Sequence, residues 1–406
     1  MLTPTLILAL LVTTSVAQND PLAAIAQALN ANGLTAFAGL LPTLNQSAVG
    51  QRLFRTLLAG GKLSMFVPNN QALSQVPQDV ANNADLLSNI VSYHVLQGNF
   101  TDPSRTVTSQ NLPNVTIGRT LLNDSSFVQL EGNRSQVLVW GKESNGTVRI
   151  LNQPNNTTVQ NVTIFNDLGI YSIDQVLTPP PSFSQALVAG NTASPGLSTD
   201  AALALLNNTS IPGPDGNNVS FTNYLDGPTV KGFTFFIPNN AALQAAQPAL
   251  ASLQGNASAV RVLLGNHIIN GSTLYSTTLT NSTSASGETL TFFTNSSGTY
   301  VSSGNLSTAR ITATNVLTKN GVVHVIEQVL VNTQENPAAA SSAYNQATST
   351  APQTAAETGP VSSPTSTSAG NNSNTGSTNG ASSTFKNALY SVVVIVGNIV
   401  GAAFIM

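Results

Sequence analysis

Cysteine is absent from this 406-residue chain. Its absence excludes a disulfide scaffold, a thiol nucleophile, an iron–sulfur cluster and any cysteine-based zinc site. Charge is also scarce: thirteen basic and sixteen acidic residues make up 7% of the chain, against roughly 25% in an ordinary soluble domain. So few cations leave no electrostatic footprint for nucleic acid. There are three histidines and a single tryptophan. A surface this poor in charge, at a net −3, is a weak guarantee of solubility, so hydration must come from another source.

The two ends are apolar and read as addresses. Leu6 to Val12 is too short to span a bilayer, and Ser15-Val16-Ala17 supplies the small residues of a signal-peptidase site. Residues 1–17 are therefore expected to be a signal peptide. Ala388 to Met406 carries no charge and follows a polar spacer, the pattern of a glycosylphosphatidylinositol attachment signal. Asn379 is the expected attachment residue, with 380–406 removed. The segment 334–379 is rich in Ser, Thr, Ala and Asn with scattered Pro. It is expected to be a disordered, glycosylated stalk, because it offers little apolar surface to offset the entropy of ordering.

Between the ends the sequence repeats itself. Met65 to Leu73 reads MFVPNNQAL and Phe235 to Leu243 reads FFIPNNAAL; SYHVL at 92–96 answers GNHII at 265–269; IDQVL at 173–177 answers IEQVL at 326–330. Three matches in one order define a tandem unit of about 150 residues, with Pro179-Pro180-Pro181 at the junction. The apolar runs before Pro68 and Pro238 predict strands that each proline ends, since proline has no N–H for the ladder. Asn69 and Asn239 follow as helix N-caps. Helical patterns come early in each unit and strand patterns late (137–140, 148–151 and 159–165; then 289–294, 309–314 and 322–330), which predicts an α+β class.

The strand–Pro–Asn–helix element, the Tyr93-His94 pair and the closing run Gly321 to Leu330 with His324 resemble the fasciclin I-type domain. The resemblance covers 18–179 and 182–333. It implies two tandem domains, each a β-sandwich-like wedge with surrounding helices. Tyr171 stands where the second copy has His324, and Asn266 replaces the tyrosine before His267. In animal relatives the Tyr-His region is linked to integrin binding; with one matching pair and no Arg-Gly-Asp, that partner is not expected here.

Asn-x-Ser/Thr sequons supply the missing hydration. They occur at Asn45, Asn99, Asn114, Asn123, Asn133, Asn145, Asn156, Asn161, Asn208, Asn218, Asn256, Asn270, Asn281, Asn295 and Asn305, each requiring an accessible surface to be used. No metalloprotease helix, calcium loop or nucleophile elbow occurs, so neither enzyme activity nor a cofactor is expected. The histidines are expected to serve as hydrogen-bonding groups beside the core, and Trp140 as core. The expected role is a cell-surface adhesion or wall- and matrix-interaction glycoprotein, lipid-anchored at the plasma membrane or in the wall. Its partners would be surface proteins or wall polysaccharides, with self-association open. Tyr93, His94, Asn266 and His267 are the candidate interaction residues. The alternatives are a lipid or small-ligand module and, with less support, a polysaccharide-active enzyme.

Overall fold

The computed structural model describes residues 21–351, apart from 99, 101–114, 144, 194–195, 214–215, 254 and 305. The expected signal peptide, Asn379, residues 380–406 and the sequons Asn99, Asn114 and Asn305 lie outside the described residues. In the first copy α1 (Pro21–Ala31), α2 (Thr35–Leu44) and α3 (Ala48–Leu58) lead into β1 (Leu63–Pro68). Then follow α4 (Asn70–Leu73), α5 (Gln78–Ala81), α6 (Ala84–His94), β2 (Val95–Gln97), β3 (Val115–Arg119), β4 (Val137–Lys142), β5 (Val148–Ile150), β6 (Thr157–Phe165) and β7 (Leu168–Ile173).

The second copy opens with α7 (Phe183–Thr192), α8 (Asp200–Asn208), β8 (Ser210–Pro212), β9 (Asn218–Ser220) and α9 (Phe221–Asp226). It continues through β10 (Phe233–Pro238), α10 (Asn240–Ala245), α11 (Gln247–Ala251), α12 (Ala257–Gly265), β11 (Ile268–Asn270) and β12 (Ser282–Thr283). It closes with β13 (Thr289–Asn295), β14 (Gly298–Ser303), β15 (Ser307–Thr318) and β16 (Gly321–Ile326), after which α13 (Pro337–Thr350) extends the chain.

Both copies build one sheet design. The strand orders β2-β1-β7-β6-β5-β4-β3 and β11-β10-β16-β15-β14-β13-β12 are the same order position by position. The proline-ended strand pairs in parallel with the last strand of its copy, Phe66 opposite Tyr171 and Phe236 opposite His324. All other pairings are antiparallel. Register shifts in β6 and β15 bend the sheet, as an extra residue in one strand does. In the first copy the curl brings the two edges together at a Leu96–Thr120 bridge. The expected α+β wedge is this curled sheet.

Strand periodicity of two divides each unit into two cores. Met65 and Val67 face the helices and pack with Leu29, Phe37, Leu53 and Leu87. Phe66, between them, faces the inside of the curl with Tyr93, Leu96, Trp140 and Tyr171. Phe235 and Ile237 against Phe236 repeat the division. β1 and β10 are buried at every position, as a strand covered on both faces requires. Asn69 and Asn239 accept from Ala72 N–H and Ala242 N–H at 2.8 Å, so the predicted caps form. Trp140 is core, its ring 5.5 Å from Phe66 and 4.9 Å from Phe100.

One expectation is corrected here. The first part of the anticipated disordered stalk is the helix α13. Asn336 caps it by accepting from Ala339 N–H, and Pro337 opens it at the first position, where its missing N–H costs nothing. Alanine needs little packing to be helical. The helix docks through Ala340, which is buried, and through Tyr344, whose ring lies against Gly271. Among the described residues no helix is long and apolar enough to cross a membrane.

Candidate functional site

The candidate interaction residues are inside the protein. Tyr93, His94, Asn266 and His267 are each at most 2% exposed, and His324 is fully buried. The expectation that they present a contact surface is corrected: they hold each unit together. His94 ends α6. Its Nδ1–H donates to Ile90 O at 2.8 Å, and its Nε2 accepts from Leu177 N–H at 2.9 Å. His267 repeats this with Leu263 O (2.8 Å) and Leu330 N–H (3.0 Å). Each ring is thus a neutral imidazole in a single tautomer, tying a helix end to the segment that leaves the last strand. Asn266 secures that exit further. Its Nδ2 donates to Asn332 O and Gln334 O, and its Oδ1 accepts from Ser284 Oγ–H at 2.7 Å.

His324 plays another part. Its Nε2–H donates to Leu274 O at 2.9 Å, and the ring stacks on Phe236 at 5.5 Å. Tyr171 stacks on Phe66 at 4.8 Å in the same register, so the Tyr/His difference between the copies preserves an aromatic layer beside the parallel pair. Desolvation pushes all three imidazoles down to about 4, against partial compensation from their backbone bonds. Burial likewise raises the Tyr93 hydroxyl, with the nearby Tyr275 adding to the effect. Among the described residues no cluster of three or more His, Asp or Glu could hold a metal.

Tyr275 belongs to the other copy, and it marks the feature that sequence reasoning missed. A seam joins the two units. Val115, Ile117, Val137 and Val139 of the first copy bury themselves against Tyr275, Leu317 and Val322 of the second. Glu131, 4% exposed, accepts from Thr273 N–H at 3.2 Å and from Thr273 Oγ–H at 2.7 Å, and pairs with Arg134 at 2.9 Å. Gln136 Nε2 donates to Thr318 O, and Gln129 N–H to Lys319 O. Gly232 has φ +74°, and any Cβ there would stand 2.3 Å from the Glu131 carboxylate; the backbone conformation and the space both require glycine. One signal was present in the sequence: Val137 to Trp140 is apolar at four successive positions, so that strand needs cover on both faces.

The sequon asparagines face the other way. Those of the expected set that are described are all exposed except Asn270, which is half-buried.

Two copies of a curled, helix-capped sheet, latched internally by histidine and sealed to each other, define a tandem α+β domain pair. The chain belongs to the fasciclin domain family, whose model matches residues 30–179 and 216–332. A curated protein of Arthroderma benhamiae, named a fasciclin-like arabinogalactan protein, is 29% identical over 252 residues, covering 62% of this chain and 52% of the relative. The chain thus spans about half the length of that protein. A solved FAS1 domain pair from the insect cell adhesion molecule fasciclin I is 15% identical with a TM-score of 0.34, covering 74% of this chain and 98% of that one.

Two outcomes follow. The unfolded chain binds protons at its histidines from about pH 6.5 downward, whereas the folded chain resists until about 4. Stability is therefore full above about pH 6.5 and falls toward pH 4, by up to about 1.4 kcal/mol per pH unit for each histidine. Urea midpoints measured across that range check this, and His267→Gln should remove about a third of the slope. At the seam, Glu131→Ala removes the carboxylate that Thr273 and Arg134 share. It should cost about 3 kcal/mol and split a single calorimetric transition into two.

Proposed function

We propose that this protein is a non-catalytic cell-surface adhesion or wall- and matrix-interaction glycoprotein, held outside the plasma membrane by a lipid anchor. The observation that carries the reading is the seam. It makes two fasciclin units one body by burying apolar and hydrogen-bonding groups from both, a form suited to presenting a fixed surface rather than to opening around a substrate. Membership of the fasciclin family and likeness to a fasciclin-like arabinogalactan protein support it. So does the outward placement of the sequon asparagines. The inward-facing histidines, with Tyr93 and Tyr275, leave recognition to surface loops and attached sugar. In a flow-chamber assay, cells displaying the full chain should attach to matrix or to one another more strongly than cells lacking it. Phospholipase that cleaves the lipid anchor should remove the gain. Equal attachment with and without the chain overturns the adhesive role; a gain that survives the phospholipase overturns the anchor.

A second reading rests on a cavity. Between α2, α4, α5 and α6 of the first copy lies an apolar space of about 240 Å³, lined by Phe37, Leu73, Val80, Leu87 and Val91 with His94 at its base. The matching space in the second copy is only about 30 Å³. A dry apolar cavity of about 150 Å³ already takes benzene. The polar side chains lining it are spent internally: His94 on Ile90 and Leu177, Asn70 on Ala36 and Thr35, and Ser74 on Gln71. The space therefore suits an alkyl chain with no polar group to be recognised inside. Titration with a fluorescent fatty-acid probe should saturate at one probe per chain, and Val91→Phe should abolish binding while leaving thermal stability near that of the parent.

A further inference from the structure

The second copy carries an exposed aromatic stack that neither core uses. Phe293 on β13 and Tyr300 on β14 are directly opposed. Their rings lie 5.1 Å apart and are parallel to within 6°, and Phe293 is 46% exposed. Its neighbour Phe292 points to the other side and packs on Phe236. Direct opposition places Arg310 of β15 beside Tyr300, and period two places Asn295 and Gly298 on this same outer face. Phe293, Asn295, Tyr300 and Arg310 thus form one solvent-facing group around a two-residue turn.

Asn295 is the acceptor of an Asn-Ser-Ser sequon. It is exposed, and its Oδ1 accepts from Ser297 N–H at 2.8 Å, which leaves its amide nitrogen pointing outward for modification. Opposite it stands Gly298, with φ +139° and with space closed only by Arg310, whose Nε would lie 2.9 Å from an added Cβ. The side chain over Gly298 is therefore that of Arg310, and Phe293 stands about 7 Å from Asn295 along the strand.

The geometry points to an intramolecular ligand: an N-linked glycan on Asn295 whose first N-acetylglucosamine lies across Phe293 and Tyr300, with Arg310 at its edge. The two rings turn a face to each other, so the sugar's C–H face packs on the exposed flank of the stack and takes that apolar surface out of water, while the guanidinium donates to ring or acetamido oxygens. The first copy supplies the contrast. Its corresponding turn carries a sequon at Asn145 with the same internal bond, Asn145 Oδ1 from Thr147 N–H at 2.9 Å. Two residues before it stands Glu143, paired with Arg149 at 2.6 Å. Both turns have an ion pair nearby, Arg310 with Glu327 at 3.9 Å in the second copy, but only the second has an aromatic bed, so the two sugars differ in role: one is fastened to the fold and the other is free.

The inference rests on the secretory route of the proposed function, and the experiment separates the two. The full chain is secreted from a glycosylating host, its glycopeptides are mapped by mass spectrometry, and unfolding temperatures are compared for Asn295→Gln, Phe293→Ala, the double variant and Asn145→Gln. Asn295 should be occupied. Asn295→Gln should lower the midpoint by about 2–4 °C, the shift expected of one modest contact in a unit of this size. The same change in the Phe293→Ala background should have no effect, and Asn145→Gln should have none in either. The acetyl-methyl resonance of the Asn295 sugar should shift away from its free-glycan position beside the rings and return to it in Phe293→Ala. A bare Asn295 on a chain glycosylated elsewhere overturns this inference alone; a chain bare at every sequon overturns the secretory reading and this one with it. Additive effects of Asn295→Gln and Phe293→Ala overturn it too. So does an aromatic pair that binds free chitobiose but ignores the covalent sugar, which would assign the stack to an external glycan.

Discussion

The parallel pairing of the proline-ended strand with the last strand of each copy is the constraint on which the structure depends. It brings Leu63–Pro68 against Leu168–Ile173, and Phe233–Pro238 against Gly321–Ile326. Everything between must leave and return. Proline, unable to donate to the ladder, stops the strand where the asparagine cap starts a helix, and that turn sends the chain over one face. The return through antiparallel hairpins lays the other face. The histidine latch then fastens the helix that precedes β2 or β11 to the chain leaving the pair. Without the parallel contact the two cores of a unit would have no shared wall.

Duplication lets the two copies diverge in purpose without changing the plan. His94 and His267 keep the same bonds, whereas the residue before them has parted ways. Tyr93 is buried close to Tyr275 at the junction of the copies, and Asn266 binds the exit toward α13. The first copy retains a wide apolar space under its helices, and the second has closed the same place. The seam uses the β3–β4 hairpin of one and the β15–β16 end of the other, which are different regions of the same fold. The contact is thus heterologous: α13 lies against β12 of the second copy, whereas the β6–β7 end of the first leaves Val162 and Ile164 as an exposed patch. In a repeated fold such a patch is where further association would begin.

Much of the fold was legible because its signals are local. Pro68-Asn69 and Pro238-Asn239 state a strand end and a helix start in two residues, and both caps form. The repeat revealed two domains, and the late strands predicted α+β. Less legible was the direction in which polar residues face. A histidine in an apolar run satisfies itself equally well by capping backbone inside or by meeting a partner outside, and only tertiary contacts decide between them. Glu131 carried no sign at all; its acceptor role depends on Thr273, 142 positions away. The α13 helix was hidden because its composition lacks large apolar residues, yet alanine with a good cap suffices once Tyr344 finds Gly271.

The seam also has a consequence in time. The chain is synthesised from its N-terminus, and the first unit can close its parallel pair only when Leu168–Ile173 has emerged. Even then the outer faces of Val115, Ile117, Val137 and Val139 remain bare until Tyr275, Leu317 and Val322 arrive. Non-local closure is slow, and transiently exposed apolar strands invite misassembly. The first copy therefore waits, complete in topology and unfinished in surface, for the last strands of the second.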